Sequence, residues 1–199
     1  EVLQNSRSIT SIALAHNLIG NEGCRYLSEA LKNNARLTSI GLEDNKIGDE
    51  GCRYLAEALH ANSTLTNLSI SGNNNISDKG FWSIAQVTKD RSCPLQTDVA
   101  FCNVLISSLK NDPSVTNIRL ETKIKAEGCK YLSEAIRTNS ALTSVDLHSH
   151  KFGDEGCKHL SSALQNNSSI TSVNICDNYI SAKELWNLSK AAKDRPCSL

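Results

Sequence analysis

The sequence contains no methionine, not even at its first position, and only 5% of its residues are aromatic. The missing first methionine predicts that the chain is a piece of a longer protein. Few aromatic residues often accompany disorder, because such a chain has little apolar surface to bury. A folded chain of this composition must therefore show a regular apolar pattern.

Neither sign of charge dominates, since 21 lysines and arginines balance 21 aspartates and glutamates. Nucleic-acid-binding proteins usually carry a basic face, so we expect no nucleic-acid partner. Apolar runs of the length that spans a bilayer, 18 residues or more, are also absent. The first residues lack the basic region and apolar core of a signal peptide. We therefore expect no membrane partner.

A unit of about 28 residues repeats along the chain. Residues 37–59 and 142–164, for example, are identical at 13 of 23 positions. Each unit reads L-x-x-L-x-L-x-x-N-x-I, followed by glycine and a phrase whose apolar residues recur every three or four positions. The alternating part predicts a short strand, and the second part predicts a helix. The units begin at Ile9, Leu37, Leu65, Val115, Leu142 and Ile170.

A block of three such units is itself repeated along the chain. The three units of the first half map onto those of the second at steps of 105 or 106 residues, and KDRSCPL (89–95) recurs as KDRPCSL (193–199). Residues 98–114 match only the helical half of a unit. We therefore predict one domain, residues 1–199, built from two tandem blocks (about 1–95 and 96–199).

These blocks predict six short parallel strands in one continuous curved sheet, with seven or eight helices outside it. Residues 90–97 are expected to form a surface loop at the junction. The helix at 98–110 is expected to have no strand before it. The two blocks should superimpose, residues 9–89 on residues 115–193.

The repeat spacing, the strand phrase and the G-x-x-x-L-x-x-A-L helix resemble the leucine-rich repeats of ribonuclease inhibitor, NOD-like receptors and bacterial leucine-rich-repeat effectors. The resemblance implies an α/β solenoid shaped as a curved horseshoe, with parallel strands on the concave side and helices on the convex side. Packed helices are about 10 Å apart and strands about 4.8 Å, so such a stack curves toward its strands. A fold alone does not fix a function.

The turn after most strands carries an asparagine, which we expect to satisfy backbone groups that the turn leaves open. The fourth unit lacks this residue, the fifth has His150 in its place, and the sixth has Glu184 where glycine is expected. The asparagines are Asn17, Asn45, Asn73 and Asn178.

Five of the eight cysteines occupy one column of the repeat: Cys24, Cys52, Cys102, Cys129 and Cys157. Neighbouring helix axes lie about 8–10 Å apart, whereas a disulfide needs Cα atoms within about 7 Å. We therefore expect free, buried thiols. No C-x-x-C pair is present, so zinc-type spacing is absent, and we expect no cofactor and no resident metal. Unbridged cysteines favour a reducing compartment, hence the cytoplasm.

Trp82 and Trp186 stand at equivalent positions 104 residues apart. One hypothesis makes them anchors for a partner. The other, which we favour, makes them covers for the junction with the next strandless helix, because an exposed tryptophan normally has a structural or functional reason.

Side chains that alternate with the core leucines of the strands line the predicted concave face. They are small in the first block and larger and charged in the second. We predict that this face binds another protein. The predicted contact residues are Arg119, Glu121, Asp146, His148, Asn174, Cys176 and Asp177 in the second block, with Glu43 and Asp44 in the first.

The leading hypothesis is therefore a non-enzymatic protein-interaction module of a larger cytosolic protein. It would be either the sensing arm of a receptor or an effector that acts in a host cytoplasm. A second hypothesis is an enzyme or metal site, because Glu121, His148 and Cys176 should lie on adjacent strands about 4.8 Å apart. A histidine there could activate the thiol, or the three groups could hold zinc. A third hypothesis is a structural spacer.

Overall fold

The computed structural model describes residue 6 and residues 8–192. Short strands alternate with helices along this part of the chain. The predictions for KDRPCSL, and for the eighth cysteine within it, fall on residues 193–199 and lie outside the described residues. The strands are β1 (Ser11–Ala13), β2 (Ser39–Gly41), β3 (Asn67–Ser69), β4 (Gln96–Thr97), β5 (Asn117–Arg119), β6 (Ser144–Asp146) and β7 (Ser172–Asn174).

Seven helices fall within the described residues, in agreement with the number predicted. Each follows a strand, and helices pack side by side within each unit. They are α1 (Asn21–Lys32), α2 (Asp49–Ala61), α3 (Asp78–Val87), α4 (Ala100–Lys110), α5 (Ala126–Ile136), α6 (Gly153–Asn166) and α7 (Ala182–Ala191). None of the described helices is long and apolar enough to cross a membrane.

The chain packs as two compact units, with the boundary between Ile106 and Ser107. The first unit contains a sheet of order β1-β2-β3-β4, and the second a sheet of order β5-β6-β7. All of these strands pair in parallel. The six predicted strands are therefore present, but the prediction of one continuous sheet is wrong. The extent of the domain, predicted as 1–199, stays a prediction.

Strand pairing follows the repeat period. Ile12 pairs with Ile40 and Ile40 with Leu68 in the first unit, and Val145 pairs with Val173 in the second. Equivalent positions of successive units thus lie side by side. The central residue is buried in β2, β3, β5, β6 and β7, while its two neighbours in the strand are half-buried or exposed. Each of these sheets therefore has one face against the helices and one open face.

The junction at 90–97 differs from the prediction. Gln96 and Thr97 form the two-residue strand β4, which pairs with β3. The guanidinium of Arg91 donates to the carbonyls of Leu59 and Leu65, and the Leu95 side chain is only 5% exposed. The segment is therefore a shortened repeat rather than a surface loop, and the helix that follows does have a strand before it.

A side chain replaces the rest of this short strand. The Asp98 carboxylate accepts hydrogen bonds from the Ile70 backbone N–H at 2.8 Å and from the Ser71 hydroxyl at 2.5 Å. In a full unit, backbone carbonyls take this role, as the Ser69 carbonyl does for the Leu42 N–H at 2.8 Å. The ladder of backbone hydrogen bonds in the first sheet ends at β4, because β4 offers only two residues for pairing and the Asp98 carboxylate then accepts from the N–H groups directly after β3.

The five cysteines of the column lie on five different helices and are buried, as predicted. All five side chains are fully buried, and none of the five forms a disulfide. Burial raises the pKa of Cys24 to about 12 and that of Cys157 to about 11, because a thiolate would lose its hydration there. These cysteines therefore act as small apolar core residues.

Candidate protein-binding surface

Asparagine side chains fix the turns that follow the strands. The Asn45 amide donates to the Leu14 carbonyl of the preceding unit at 2.9 Å and accepts from the Ile19 N–H at 3.0 Å. Asn178 likewise donates to the Leu147 carbonyl of the unit before it at 2.6 Å. The predicted role of these residues is confirmed. Asn45 and Asn178 each link two successive repeats.

His150 replaces this asparagine in the fifth unit. Its Nδ1 atom accepts from the Ile124 backbone N–H at 3.3 Å, so it keeps one of the asparagine's contacts. The side chain is 4% exposed, and its Nε2 atom has no hydrogen-bond partner among the described residues. Burial lowers the pKa of His150, because protonation would place a charge in this poorly hydrated site. The ring therefore takes the place of the asparagine in the ladder with one hydrogen bond to the backbone.

A second asparagine ladder lies at the helix C-termini, and the sequence reasoning missed it. The Asn167 amide donates to the Ile136 and Asn139 carbonyls at 2.8 and 2.6 Å, and its oxygen accepts from the Ser169 and Ile170 N–H groups, both at 2.9 Å. The signal was present as a second asparagine period of 28 residues in each half. Its members are Asn34, Asn62, Asn139 and Asn167, all buried.

The turn residue directly before each asparagine of the first ladder, and before His150, has left-handed backbone angles. Asp44, with φ of 51°, donates its N–H to the Ser71 carbonyl at 3.0 Å, and Ser149, with φ of 61°, donates to the Cys176 carbonyl at 2.9 Å. The repeated turn lines up equivalent side chains at the same end of neighbouring strands. Left-handed residues of this row are His16, Asp44, Gly72, Ser149 and Asp177.

Two close side-chain pairs connect neighbouring strands of the second unit, one between a guanidinium and a carboxylate and one between an imidazole and a carboxylate. Arg119 Nε lies 3.7 Å from Asp146 Oδ2, and His148 Nε2 lies 3.8 Å from Asp177 Oδ2. The Arg119 side chain is 76% exposed and the Asp177 side chain 74%. Exposed pairs of this kind contribute little stability, about 0–1 kcal/mol. A partner can therefore separate these paired side chains at a small cost in free energy.

The remaining predicted residues of the second unit frame these pairs. Asn174 is exposed on β7, and its side-chain oxygen accepts from the Cys176 N–H at 3.2 Å. Glu121 is exposed after β5. We refer to Arg119, Asp146, His148, Asn174 and Asp177 together as the strand face.

The first unit has its own, sparser set of charges. Asp44 Oδ2 lies 3.6 Å from His16 Nδ1, and Glu43 is half-buried beside it. The strand positions next to them carry Ala13 and Gly41. Glu43 and Asp44 lie in the first unit, whereas the strand face lies in the second.

The predicted row of Glu121, His148 and Cys176 does not form a metal site. Among the described residues, no group of three or more histidine, cysteine, aspartate or glutamate side chains could hold a metal ion. His148 turns instead to Asp177, which the left-handed turn brings beside it, and this part of the structure has no hydrogen bond between His148 and Cys176. The metal hypothesis is wrong for these residues, and no contact in the row supports thiol activation.

The second unit also has an open apolar groove of about 510 Å³ at the end formed by β7 and α7. Large side chains along this end are exposed: Tyr179 by 75%, Leu185 by 43% and, next to the groove, Trp186 by 63%. The lining residues are Ile175, Cys176, Asp177, Asn178, Tyr179, Ile180, Leu185 and Leu188.

The family model described as "Leucine Rich repeat" matches residues 5–28, 33–56, 61–85 and 138–161. These four segments therefore match leucine-rich repeats, and the predicted fold class, an α/β leucine-rich repeat solenoid, is confirmed. No curated protein matches the chain.

Two solved structures are similar to the chain. "Leiomodin-1 Actin-Binding Site 2 (ABS2)" has a TM-score of 0.34 and 15% identity, over 96% of this chain and 84% of that one. The tropomodulin C-terminal domain of Caenorhabditis elegans has a TM-score of 0.32 and 14% identity, over 96% of this chain and 87% of that one. Likeness at this level carries no argument about the partner of this chain.

Proposed function

We propose that the chain is a protein-interaction module that binds its partner through the strand face of the second unit. The observation that carries the proposal is the cross-strand arrangement of Arg119 with Asp146 and of His148 with Asp177. Backbone ladders and asparagines fix the strands and turns that carry these side chains, so a partner meets them at preset positions. Preorganisation of this kind lowers the entropic cost of binding.

The chemistry of the strand face indicates the kind of partner. It offers one guanidinium, two carboxylates, an imidazole and an amide, and no large aromatic side chain. Strong binding hot spots are enriched in tryptophan, tyrosine and arginine. A partner segment with polar and oppositely charged groups fits this face, and the partner supplies the aromatic anchors.

The wider setting is part of the same proposal. The resemblance of the repeats to those of ribonuclease inhibitor and the NOD-like receptors, together with five buried cysteines that form no disulfide, supports a cytosolic role. The module would serve as the sensing arm of a receptor or as an effector in a host cytoplasm.

Quantitative affinity capture from a cytosolic extract tests the binding surface. The bait is the chain itself, compared with a strand-face variant, Arg119→Ala with His148→Ala, and with a helix-side variant, Arg53→Ala with Arg137→Ala. All four positions are exposed, and each arginine or histidine has an acidic neighbour. We expect the strand-face variant to lose a set of proteins that the helix-side variant retains. Equal capture by all three baits would contradict the proposal.

A further inference from the structure

His150 is a buried titratable residue whose hydrogen bonding depends on its protonation state. Its side chain is 4% exposed, and Nδ1 accepts from the Ile124 backbone N–H at 3.3 Å. A ring nitrogen accepts only through a lone pair, so Nδ1 carries no proton in this contact. Protonation would turn Nδ1 into a donor that faces another donor, the Ile124 N–H. The link between these two turns therefore exists only while Nδ1 is unprotonated.

The asparagines at equivalent positions make the same link without this dependence. Asn45 Oδ1 accepts from the Ile19 N–H and Asn73 Oδ1 from the Ile47 N–H, both at 3.0 Å. An amide oxygen remains an acceptor throughout the pH range in which histidine titrates. His150 thus makes one turn of the ladder sensitive to acid, whereas the links made by Asn45 and Asn73 are insensitive.

The backbone ladder gives little support of its own at this place. The Leu120 N–H donates to the Asp146 carbonyl at 3.4 Å, whereas the equivalent bonds from Leu42 and Leu147 are 2.8 Å long. The turn after β5 is also one residue shorter than the turn after β2, and it has no asparagine. Because hydrogen bonds weaken as they lengthen, the His150 ring carries a larger share of the link between the turns that follow β5 and β6.

Charged groups near the ring act in both directions. Burial has the largest effect and lowers the pKa of His150, and His148 and Lys123 lower it further. The backbone carbonyl that follows β5 and the Asp146 carboxylate act in the opposite direction. On the side of the next repeat, the Asn178 amide accepts from the His150 backbone N–H at 2.9 Å and carries no charge. Because the net shift is downward, acid favours an opened state with a hydrated ring over a closed state with a charged one.

We infer that His150 is an acid-sensitive link that regulates the strand face. Protonation opens its contact with the turn after β5, and so loosens both the turn that carries His148 and the end of the strand that carries Arg119. A partner that contacts both residues is then released as the solution becomes acidic. The inference rests on the proposed function, because it concerns release of the strand-face partner.

Amide hydrogen exchange followed by NMR tests the link in the full chain without any partner. The two conditions are about pH 7.5 and about pH 5.5, one unit on either side of the ordinary histidine pKa. An opened state with an ordinary histidine gains about tenfold in population over this range, so the protection factor of the Ile124 amide should fall by about five- to tenfold. The Ile47 amide, which donates to Asn73, should change by less than about twofold. An equal fall at Ile47 would show general unfolding and would overturn the inference.

Three variants decide whether His150 is the cause. His150→Asn installs the side chain of the other repeats, and His150→Gln places an amide acceptor on a longer side chain. In both, the Ile124 protection factor should be the same at the two pH values, whereas His148→Asn should leave the fall intact. Circular dichroism at both pH values confirms that each variant is folded. No fall in the unmodified chain, or an equal fall in the two His150 variants, would overturn the inference.

Affinity capture from cytosolic extract at the same two pH values tests the release. The proteins that the strand-face variant loses at about pH 7.5 define the partner. The unmodified chain should capture about fivefold less of them at about pH 5.5, and His150→Asn should change by less than about twofold. Equal losses from both baits would overturn regulation by His150. Absence of such proteins at the higher pH would contradict the proposed function and with it the release step, whereas the opening at His150 stands or falls with the exchange measurement.

Discussion

Removal of one buried asparagine of the helix-end ladder should destabilise the second unit far more than removal of its neighbour. Asn167 is 2% exposed and makes hydrogen bonds of 2.6–2.9 Å to Ile136, Asn139, Ser169 and Ile170. The adjacent Asn166 is exposed, and its side chain donates one bond of 3.2 Å to Ser162. The two residues thus form a matched pair of the same type.

The expected loss follows from the number of backbone groups left without a partner. Asn167→Ala removes two donated and two accepted bonds, and a net contribution of about 1 kcal/mol each gives a loss of about 3–5 kcal/mol. The backbone of Asn167 has φ of −98° and ψ of 126°, which alanine adopts without strain. Asn166→Ala should change the free energy of unfolding by less than about 0.5 kcal/mol.

Urea denaturation followed by circular dichroism measures both variants. With an m-value of about 2 kcal/mol/M, Asn167→Ala should lower the midpoint by about 1.5–2.5 M, and Asn166→Ala should leave it nearly unchanged. Midpoints for the two variants that agree within about 0.3 M would refute the ladder as a source of stability. A changed m-value would instead show that the two units unfold separately in the variant.

Three further predictions concern His150, the five column cysteines and Gly72. Burial lowers the pKa of His150, so the unfolded state binds more protons than the folded state as the pH drops below about 6.5, and the free energy of unfolding should fall there. His150→Asn should remove this pH dependence. Equal pH profiles of the urea midpoints of the two proteins would contradict the prediction. The five column thiols should react with iodoacetamide only after unfolding, which mass spectrometry of native and denatured samples checks. Gly72→Ala should cost about 1 kcal/mol more than Gly153→Ala in thermal unfolding, because both have left-handed angles but only a Cβ at 72 meets a neighbour, the Asp44 carboxylate; equal losses would refute this reasoning.

The repeat period made most of the fold predictable. A strand phrase and a helix phrase that recur every 28 residues can bury their leucines only by stacking in register, so the strand positions and their parallel pairing follow directly. The cysteine column was predictable for the same reason. His150 was recognised as a departure from the asparagine pattern. The sequence did not predict that its Nε2 atom is buried without a hydrogen-bond partner among the described residues, because this depends on the exact position of the ring.

The junction was predicted incorrectly because it obeys no period. Nothing in the sequence around Pro94 resembles a strand phrase, yet Arg91 ties the segment to two carbonyls and Asp98 completes the ladder with a side chain. Local hydrogen bonds of this kind do not produce an apolar pattern, so pattern reasoning overlooks them.

The sequence also did not predict which side chains of the strand face pair with each other. The alternation of the strands predicted which residues face away from the core, but not that His148 would turn to Asp177 rather than toward Cys176. The left-handed turn, with φ of 58° at Asp177, decides that contact.

Site-specific photocrosslinking tests the proposed partner surface most directly. A benzophenone amino acid is placed in the full chain at position 174, on the strand face, or at position 158, on the exposed side of α6, in the presence of cytosolic extract. The account predicts a discrete crosslinked protein from position 174 that is absent from position 158 and is lost when Arg119→Ala is added. Crosslinks of equal yield and identity from both positions, or only from position 158, would contradict it.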